Sequence, residues 1–584
     1  MTLLIIIAAS AVVLAVAYVT YGRFAARVFD LREDRCTPAC EVNDGVDFVP
    51  ASRPLLLAQQ FSAIAAAGPI VGPVLACLMF GWAPALLWIL LGAIFIGGVH
   101  DLSALIASVR HKAQSIAFVV REVMSQRAYL LFLLFIWFSL VYVIVAFADV
   151  TAQAFTETAK DDVPGAYAAS SSFFYLLAAV ALGIVLRFTR LPLWLVTCVF
   201  VPIVVGCIVL GPYVPFDLRQ VPLLRNDPRL AWDYLILGYC FVASIVPVWS
   251  LLQPRGYLGG FFLYMTLGGM LVGILASFVL GGEVRFDVQY PAFKDFAAGG
   301  ATLFPVLFIT IACGACSGFH AIVSSGTTSK QLRSEPDAQA VGYGAMLLEA
   351  FVAVLSLSTV MILAANHERI RSGNPELIYA NGVADYIFAL GGRLHIPRAM
   401  IFNFALMAFA TFVADTLDVA TRLGRYVFQE IVNWPSRAGR YAATVVTLAI
   451  PCSIFAVFRT MVDAKGVPQP TWKVFWPIFG TSNQLLAALT LLSVTVWLAK
   501  SGSKWLLTAV PMLFMLAVTL TALAMNLLGW FKGFGTGQAF TVHVLGVVAL
   551  VLFLLALFLV VEAVLALIPI LGGRSQMRES RQER

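Results

Sequence analysis

The amino-acid sequence predicts an all-α polytopic membrane protein with about 15 transmembrane helices, built as one membrane domain over residues 1–584. Composition is the first reason. Of 584 residues, 61% are apolar and 12% charged, and the mean hydropathy is +0.90; a soluble domain carries roughly twice that charge. The second reason is that apolar runs of about twenty residues recur from end to end, each long enough to cross the roughly 30 Å hydrocarbon core as a helix. A membrane barrel would show short alternating segments instead. Third, no stretch between the runs could hold a soluble domain of useful size. The longest loops run from Arg23 to Arg53 and from Asn366 to Arg398.

The spans fall near residues 2–22, 55–80, 84–109, 128–153, 172–188, 191–212, 231–252, 258–280, 302–326, 338–364, 398–420, 437–458, 474–498, 505–527 and 541–571. The first, a peripheral helix over 2–22, lacks the basic start of a signal peptide and reads as a retained helix. Residues 505–571 supply C-terminal helices, and 572–584, ending in GGRSQMRESRQER, reads as a solvated cytoplasmic tail. Lys and Arg test the count, because their excess belongs on the cytoplasmic side: odd-numbered loops plus the tail hold roughly 24 and even-numbered loops roughly 14. The richest are Arg23 to Arg53, Arg110 to Arg127, Arg422 to Arg440 and Arg574 to Arg584. This puts the N terminus outside and the C terminus inside. The net charge of +7 is spread over many short loops and does not point to nucleic acid.

The second span contains FSAIAAAGPIVGP, Phe61 to Pro73, with Gly68-Pro69 and Gly72-Pro73 in mid-run. Proline removes a backbone donor and glycine loosens the chain, and in lipid the freed groups must find partners. Such a helix is interrupted; its exposed N–H and carbonyl ends, with glycines allowing close approach, suit a bound substrate, whereas a kink packing through small residues is the plainer alternative. The third span holds His100-Asp101, a pair that could hold or pass a proton, or could lie near the membrane surface. FSAIAAAG (Phe61–Gly68) is echoed by FITIACGA (Phe308–Ala315), and each is followed by a span with a buried ionisable group, His100-Asp101 and Glu349. Two interrupted helices in corresponding halves point to a transporter site.

In SGFHAIVSSGTTSK, Ser317 to Lys330, the hydroxyls of Ser317, Ser324 and Ser325 and the ring of His320 could meet a substrate, or the hydroxyls could bond their own helix. Cys313 and Cys316 form a CxxC with no second pair nearby and read as small packing residues, and Cys36 and Cys40 as unrelated thiols. Asp415 and Asp418 are spaced i, i+3, and Asp418 and Arg422 i, i+4, so all three can share one helix face, as an ordinary surface ion pair if cytoplasmic or a coupled charge network if at membrane depth. Asp415, the deepest, is a candidate for ion coupling with Asp418 beside it; Arg422 and Arg425 suit a structural and gating role. In FWPIFGTSNQLLAALT, Asn483 and Gln484 follow Pro477 and Gly480, and their amides can satisfy broken backbone or line a cavity, with helix–helix hydrogen bonding as the competing explanation.

AAAGPIVGPVLA, PVWSLLQPRGYL, LFPVLFITIACGACSGFHAIVSSGTTSK, DTLDVATRLGRYVFQE and WPIFGTSNQLLAAL, in order across a core of residues 55–500, resemble the carbon starvation protein A family. The resemblance implies a bacterial inner-membrane transporter linked to uptake of peptides and, with protons, of pyruvate. It also implies a fold of the amino acid–polyamine–organocation type, with five-plus-five inverted repeats and extra helices. Gln60 stands where members often have histidine, and His100 where glutamine is common; Asp101 and Asp415 match the pattern.

The sequence therefore reads as a secondary active transporter importing a small carbon source. Pyruvate or a similar monocarboxylate with protons is the first choice, and small peptides the second. Candidate substrate-binding residues are Gly68, Pro69, Gly72, Pro73, Ser317, His320, Ser324, Ser325 and Asn483. Asp101, His100, Asp415 and Asp418 are the ion-coupling candidates. Its partners are the substrate, protons and the bilayer; no cofactor or metal is called for. No GxxxxGK[ST], HExxH or GxSxG occurs, which argues against ATP drive and against an embedded hydrolase. A nutrient sensor would be expected to carry a soluble output domain.

Overall fold

The structure is a computed structural model. It describes residues 2–582 except 46–47, 158–163, 190, 223, 280–285, 299–300, 392–394, 458–460, 463–467 and 534–539. Among these the chain is helical, apart from two antiparallel pairs of two-residue strands, Ala297–Ala298 with Ala301–Thr302 and Met461–Val462 with Pro468–Gln469.

The membrane helices, in order, are α1 (Leu3–Val28), the bent pair α2 (Arg53–Ile64) and α3 (Gly68–Phe80), α4 (Trp82–Arg110), α5 (Gln126–Thr156), α6 (Gly165–Phe188) and α7 (Leu193–Leu210). There follow α8 (Pro228–Ile245), α9 (Leu252–Val279), the short α10 (Leu303–Thr310) and α11 (Gly318–Val323), and α12 (Gln339–Met361). After α13 (Pro375–Gly391) come α14 (Arg398–Val432), α15 (Arg437–Val457), α16 (Thr471–Lys500), α17 (Leu506–Lys532) and α18 (Phe540–Gln582). Proline caps or opens α6, α7, α8, α14 and α16 (Pro164, Pro192, Pro228, Pro397, Pro470), where its missing N–H leaves no helical bond unmade.

Among the described residues, 12 helices are each long and apolar enough to cross a membrane, and the α2–α3 pair, bent by 45°, makes up to 13. The other two predicted spans are α8, which carries Arg229 and Asp233, and the α10–α11 segment, whose pieces have 8 and 6 residues. One expectation is corrected. The supposed loop from Asn366 to Arg398 contains α13, whose Ile378, Tyr379, Val383, Ala384 and Tyr386 are buried. Glu376, Asn381 and Asp385 cut its apolar run below span length, so hydropathy alone does not reveal it. The helix α18 also runs on through the predicted tail as far as Gln582.

The centre is α16, α14 and α12, with 94%, 83% and 83% of their most apolar windows buried; α1, α7 and α18, at 28%, form the periphery. Helix ends gather on two faces. On one, rich in arginine, Arg110 donates to Phe29 O (2.6 Å) and Glu335 Oε1 (3.2 Å), Tyr129 OH to Glu430 Oε1 (2.7 Å), and Lys500 to Val123 O (2.7 Å). On the opposite face Lys294 reaches Leu78 O (2.7 Å) and Asn374 reaches Glu157 Oε2 (2.8 Å).

The two broken segments run antiparallel. The chain entering α2 pairs with the chain leaving α11, Ala51 N donating to Gln331 O (2.9 Å), and Lys294, ahead of α10, binds the end of α3. Each break is followed by a helix with a π turn, Ala93–Gly97 in α4 and Gln339–Gly344 in α12, and each of those helices carries a buried acid beyond it, Asp101 and Glu349. The short echo between Phe61–Gly68 and Phe308–Ala315 therefore marks an internal repeat of inverted topology.

Candidate functional site

The two breaks, residues 65–67 and 311–317, lie against each other. A Cβ on Gly68 would run into the Cys313 side chain, and one on Gly72 would come within 2.6 Å of Thr310 O. The glycines thus permit close approach as expected, but what approaches is the other broken segment. Pro69 and Pro73 are buried in the same wall.

The freed backbone groups are met by side chains. The Gln484 amide donates to Phe308 O and Cys316 O (both 3.2 Å), and Trp88 Nε1 to Ile311 O (3.2 Å). Asn483 Oδ1 accepts from Phe319 N (2.8 Å), and its Nδ2 donates to Ser317 Oγ (3.0 Å). Ser356 Oγ donates to Ile70 O (2.8 Å) and Thr416 Oγ1 to Ala63 O (3.1 Å). Ser317 and Asn483 thus tie the second break to α16.

One buried ionic cluster lies beside the breaks. Asp101 Oδ1 is 2.7 Å from His100 Nδ1, and its Oδ2 is 2.8 Å from His320 Nδ1. On its other side, His320 Nε2 is 3.2 Å from Glu349 Oε2. That approach is an ion-pair distance without hydrogen-bond alignment. All four side chains are 0% exposed. Two ring nitrogens on one carboxylate fix Asp101 as the acceptor at the centre. Among the described residues, His100 Nε2 and Glu349, the two ends of the row, make no hydrogen bond. The adjacent residues His100 and Asp101 do touch, and neither is near the surface.

A second cluster lies across α2. Arg255, at the first turn of α9, sets Nε 2.8 Å from Asp415 Oδ1 and a terminal N 2.7 Å from Asp418 Oδ2. Tyr239 bonds both Asp418 (2.6 Å) and Arg255, and Ser62 Oγ donates to Asp415 Oδ2 (2.8 Å). Asp418 therefore pairs with Arg255. Arg422, its expected i+4 partner, instead donates to Ala243 O and Val246 O (both 2.7 Å) at the end of α8. Between the clusters, Gln60 donates to Ser324 Oγ (3.2 Å) and accepts from Thr328. Ser325 offers its carbonyl to Ser329 Oγ (2.9 Å). A cavity of about 20 Å³, lined by Gln59, Ser62, Gly256, Thr327, Thr328 and Asp415, separates α2 from α9, α11 and α14. It has room for about one water.

The candidates His100, Asp101 and His320 are thus assembled in one cluster, and Asp415 and Asp418 in another. Arg255 went unmarked because it stands between two predicted spans and reads as a loop residue. An arginine in PVWSLLQPRGYL, so close to two apolar runs, was the available signal. Glu349 was visible as a buried acid, but nothing in its local sequence ties it to His320.

The family described as "Carbon starvation protein CstA" matches residues 2–375 and 366–522. "Peptide transporter CstA" of Helicobacter pylori is 33% identical, with 88% of this chain and 80% of that one covered. "Pyruvate/proton symporter BtsT" of Escherichia coli is 30% identical, with 89% and 81% covered. Among solved structures, MhsT in complex with L-phenylalanine is similar at a TM-score of 0.48 and 15% identity, over 87% of this chain and 99% of that one. The matched residues, the broken helices and the buried charges agree with a multi-pass membrane transporter, and the chain belongs to the carbon starvation protein CstA family.

Proposed function

We propose that the protein imports pyruvate or a similar small monocarboxylate together with protons across the bacterial inner membrane, with its arginine-rich face in the cytoplasm, its N terminus outside and its C terminus inside. The observation that carries this reading is the row His100–Asp101–His320–Glu349, in which every member can change protonation. It joins the α4 helix of one repeat to α11 and α12 of the other, so a proton on it is felt by both halves.

Substrate binding falls to the centre. Arg255 already holds Asp415 and Asp418. A carboxylate entering beside Ser62 competes with Asp415 for the guanidinium, and Asp415 must then be neutralised by a proton. Anion and proton thereby enter together, without leaving an unpaired charge in lipid. The hydroxyls of Ser324 and Thr328, with Gln60, form the opposing polar wall. Alternating access moves the bundle bearing the breaks against the long α5 and α14 pair. The similarity to a pyruvate/proton symporter supports this cargo; the relatives named peptide transporters support the second reading, small peptides.

The test is uptake of labelled pyruvate into proteoliposomes under an inward proton gradient, native against Asp101→Asn. Gradient-dependent uptake in native protein, lost in the variant, is the expected result. Equal uptake in both removes Asp101 from the pathway. No uptake by correctly folded native protein overturns the pyruvate reading in favour of peptides.

A further inference from the structure

The face opposite the arginine-rich one holds a group of acids that the central site does not use. It lies where the last turns of α5 meet the first turns of α8, α13 and α16. Asp149 of α5 is buried and accepts from Arg229 Nε (2.6 Å) and from Trp472 N (2.7 Å). Glu157, just past the end of α5, accepts from Gln153 Nε2 (2.6 Å) and from Asn374 Nδ2 (2.8 Å), while Lys473 Nζ donates to Asn374 Oδ1 (3.2 Å). Asp227 caps α8, accepting from Leu230 N (3.1 Å). These three acids are engaged by pairing and capping.

Two others differ. Glu376, in the first turn of α13, is 0% exposed, and among the described residues neither of its carboxyl oxygens has a hydrogen-bond partner. The charged groups that face it are Glu157, Arg229 and Lys473. Asp233 is 3% exposed, and its Oδ1 likewise has no partner. It stands one turn along α8 from Arg229 and faces Asp149, Asp227 and Arg229. With Asp227 at its half-buried cap set aside, four carboxyls thus meet two cations, Arg229 and Lys473, among the described residues. Charge balances when two of the four hold protons. Asp149 and Glu157 gain from staying charged, because donors point at them. Glu376, and Asp233 at Oδ1, have no such donor and lose least by holding a proton. The first turn of α13 also offers a Glu376 carboxylate the positive end of a helix. Glu376 can therefore exist in either form, as a group that takes up and releases protons must.

Position gives the group a purpose. Trp472 and Lys473 open α16, and Asn483, further along the same helix, binds Phe319 N beside His320. The acids therefore lie about 16 Å along α16 from the row His100–Asp101–His320–Glu349, on its side away from the arginine-rich face. Glu157 and Lys473 are half-buried, which opens the group to water on that face. We propose that Glu376, with Asp233, is an outer proton site, which takes a proton from outside and holds it ahead of the row. The carboxylate becomes a neutral acid on taking the proton from outside water, and returns to a carboxylate when the proton moves inward. The inference rests on the proton-coupled reading above, whichever cargo is carried.

The experiment is uptake of labelled pyruvate by the full chain in proteoliposomes, with outside and inside pH varied separately. Glu376→Gln and Asp233→Asn keep side-chain size and remove the titratable group; Glu376→Asp keeps the group. Thermal unfolding in detergent checks that each variant folds. Native uptake should rise when the outside is acidified. Glu376→Gln and Asp233→Asn should lose that rise while keeping the response to inside pH and the exchange of labelled for unlabelled substrate. Glu376→Asp should restore the rise. A folded Glu376→Gln that keeps the native rise overturns the outer site. So does one that loses exchange and both pH responses together, which is the mark of a structural residue. If Glu376→Gln does not fold, Asp233→Asn decides, and a native rise in it overturns the proposal. If native protein carries no pyruvate, the cargo reading fails by itself, and the same series with a labelled dipeptide decides the outer site. Native uptake of either cargo that ignores the proton gradient overturns proton coupling and the outer site together.

Discussion

The two buried clusters differ in one chemical respect. His100, Asp101, His320 and Glu349 are all of residue types that can exist charged or neutral, whereas Arg255 keeps its charge at any pH a cell meets. In the first cluster, removing a partner leaves groups that can neutralise themselves by moving a proton. In the second, removing the acids strands an arginine that cannot become neutral, and removing Arg255 leaves two neighbouring carboxyl groups that lose their charge only by taking up protons. The first arrangement therefore suits transfer, and the second suits holding a fixed counter-charge for an anion. The stretch made of α11 and the π turn Ser324–Thr328 that continues it faces the first cluster through His320 and the central cavity through Thr327 and Thr328.

The largest loss is expected at Arg255. Arg255→Met should destabilise the protein by about 3–5 kcal/mol, the usual consequence of leaving a buried charge unpaired. Thermal unfolding in detergent reads this directly. Replacing Arg255, Asp415 and Asp418 together by apolar residues of similar size should restore most of that loss while abolishing uptake. If the single variant is as stable as native protein, the fixed-charge account of this cluster is wrong.

Asp101→Asn should act the other way round. Stability should fall by only about 1–2 kcal/mol, because both imidazoles can go neutral and the amide still accepts from one of them. Gradient-driven uptake should drop about a hundredfold, while exchange of labelled for unlabelled substrate without a gradient persists. A variant that loses exchange and gradient-driven uptake equally would make Asp101 a structural residue. His320→Gln should show the same split, since it removes the link to Glu349.

Local pattern made the all-helical membrane fold, the interrupted second span and the repeat legible, because Gly-Pro pairs and apolar run lengths are properties of short windows. Partnerships over long separations were not. His320 meets Asp101 across 219 positions and Arg255 meets Asp418 across 163, and nothing in either window encodes the other. Helical spacing places Asp418 and Arg422 on one face, but it does not show that the carbonyl end of α8 takes up Arg422 while Arg255 takes up Asp418. Asn483 stands out in the sequence because an amide in a membrane helix needs a partner, in broken backbone, in a cavity or on another helix. That its partner is the second break could be known only from packing. The helix α13 was hidden by its own polar residues.

A purely steric change, with the smallest expected effect on uptake, probes the point where the two broken segments touch. Gly68→Ala places a methyl group against Cys313, and overpacking of this kind costs about 1–3 kcal/mol. If the glycine serves packing of one break on the other, shrinking the neighbour should reverse the loss: Gly68→Ala with Cys313→Ala should recover most of the stability and uptake of native protein. If instead the glycine keeps backbone open for cargo, the double variant should recover stability and leave the affinity for pyruvate impaired. Stability and apparent KM measured on the same two variants separate these outcomes. Recovery of both is expected, because the Cβ position on Gly68 points at Cys313 and Gly68 is not among the residues lining the central cavity.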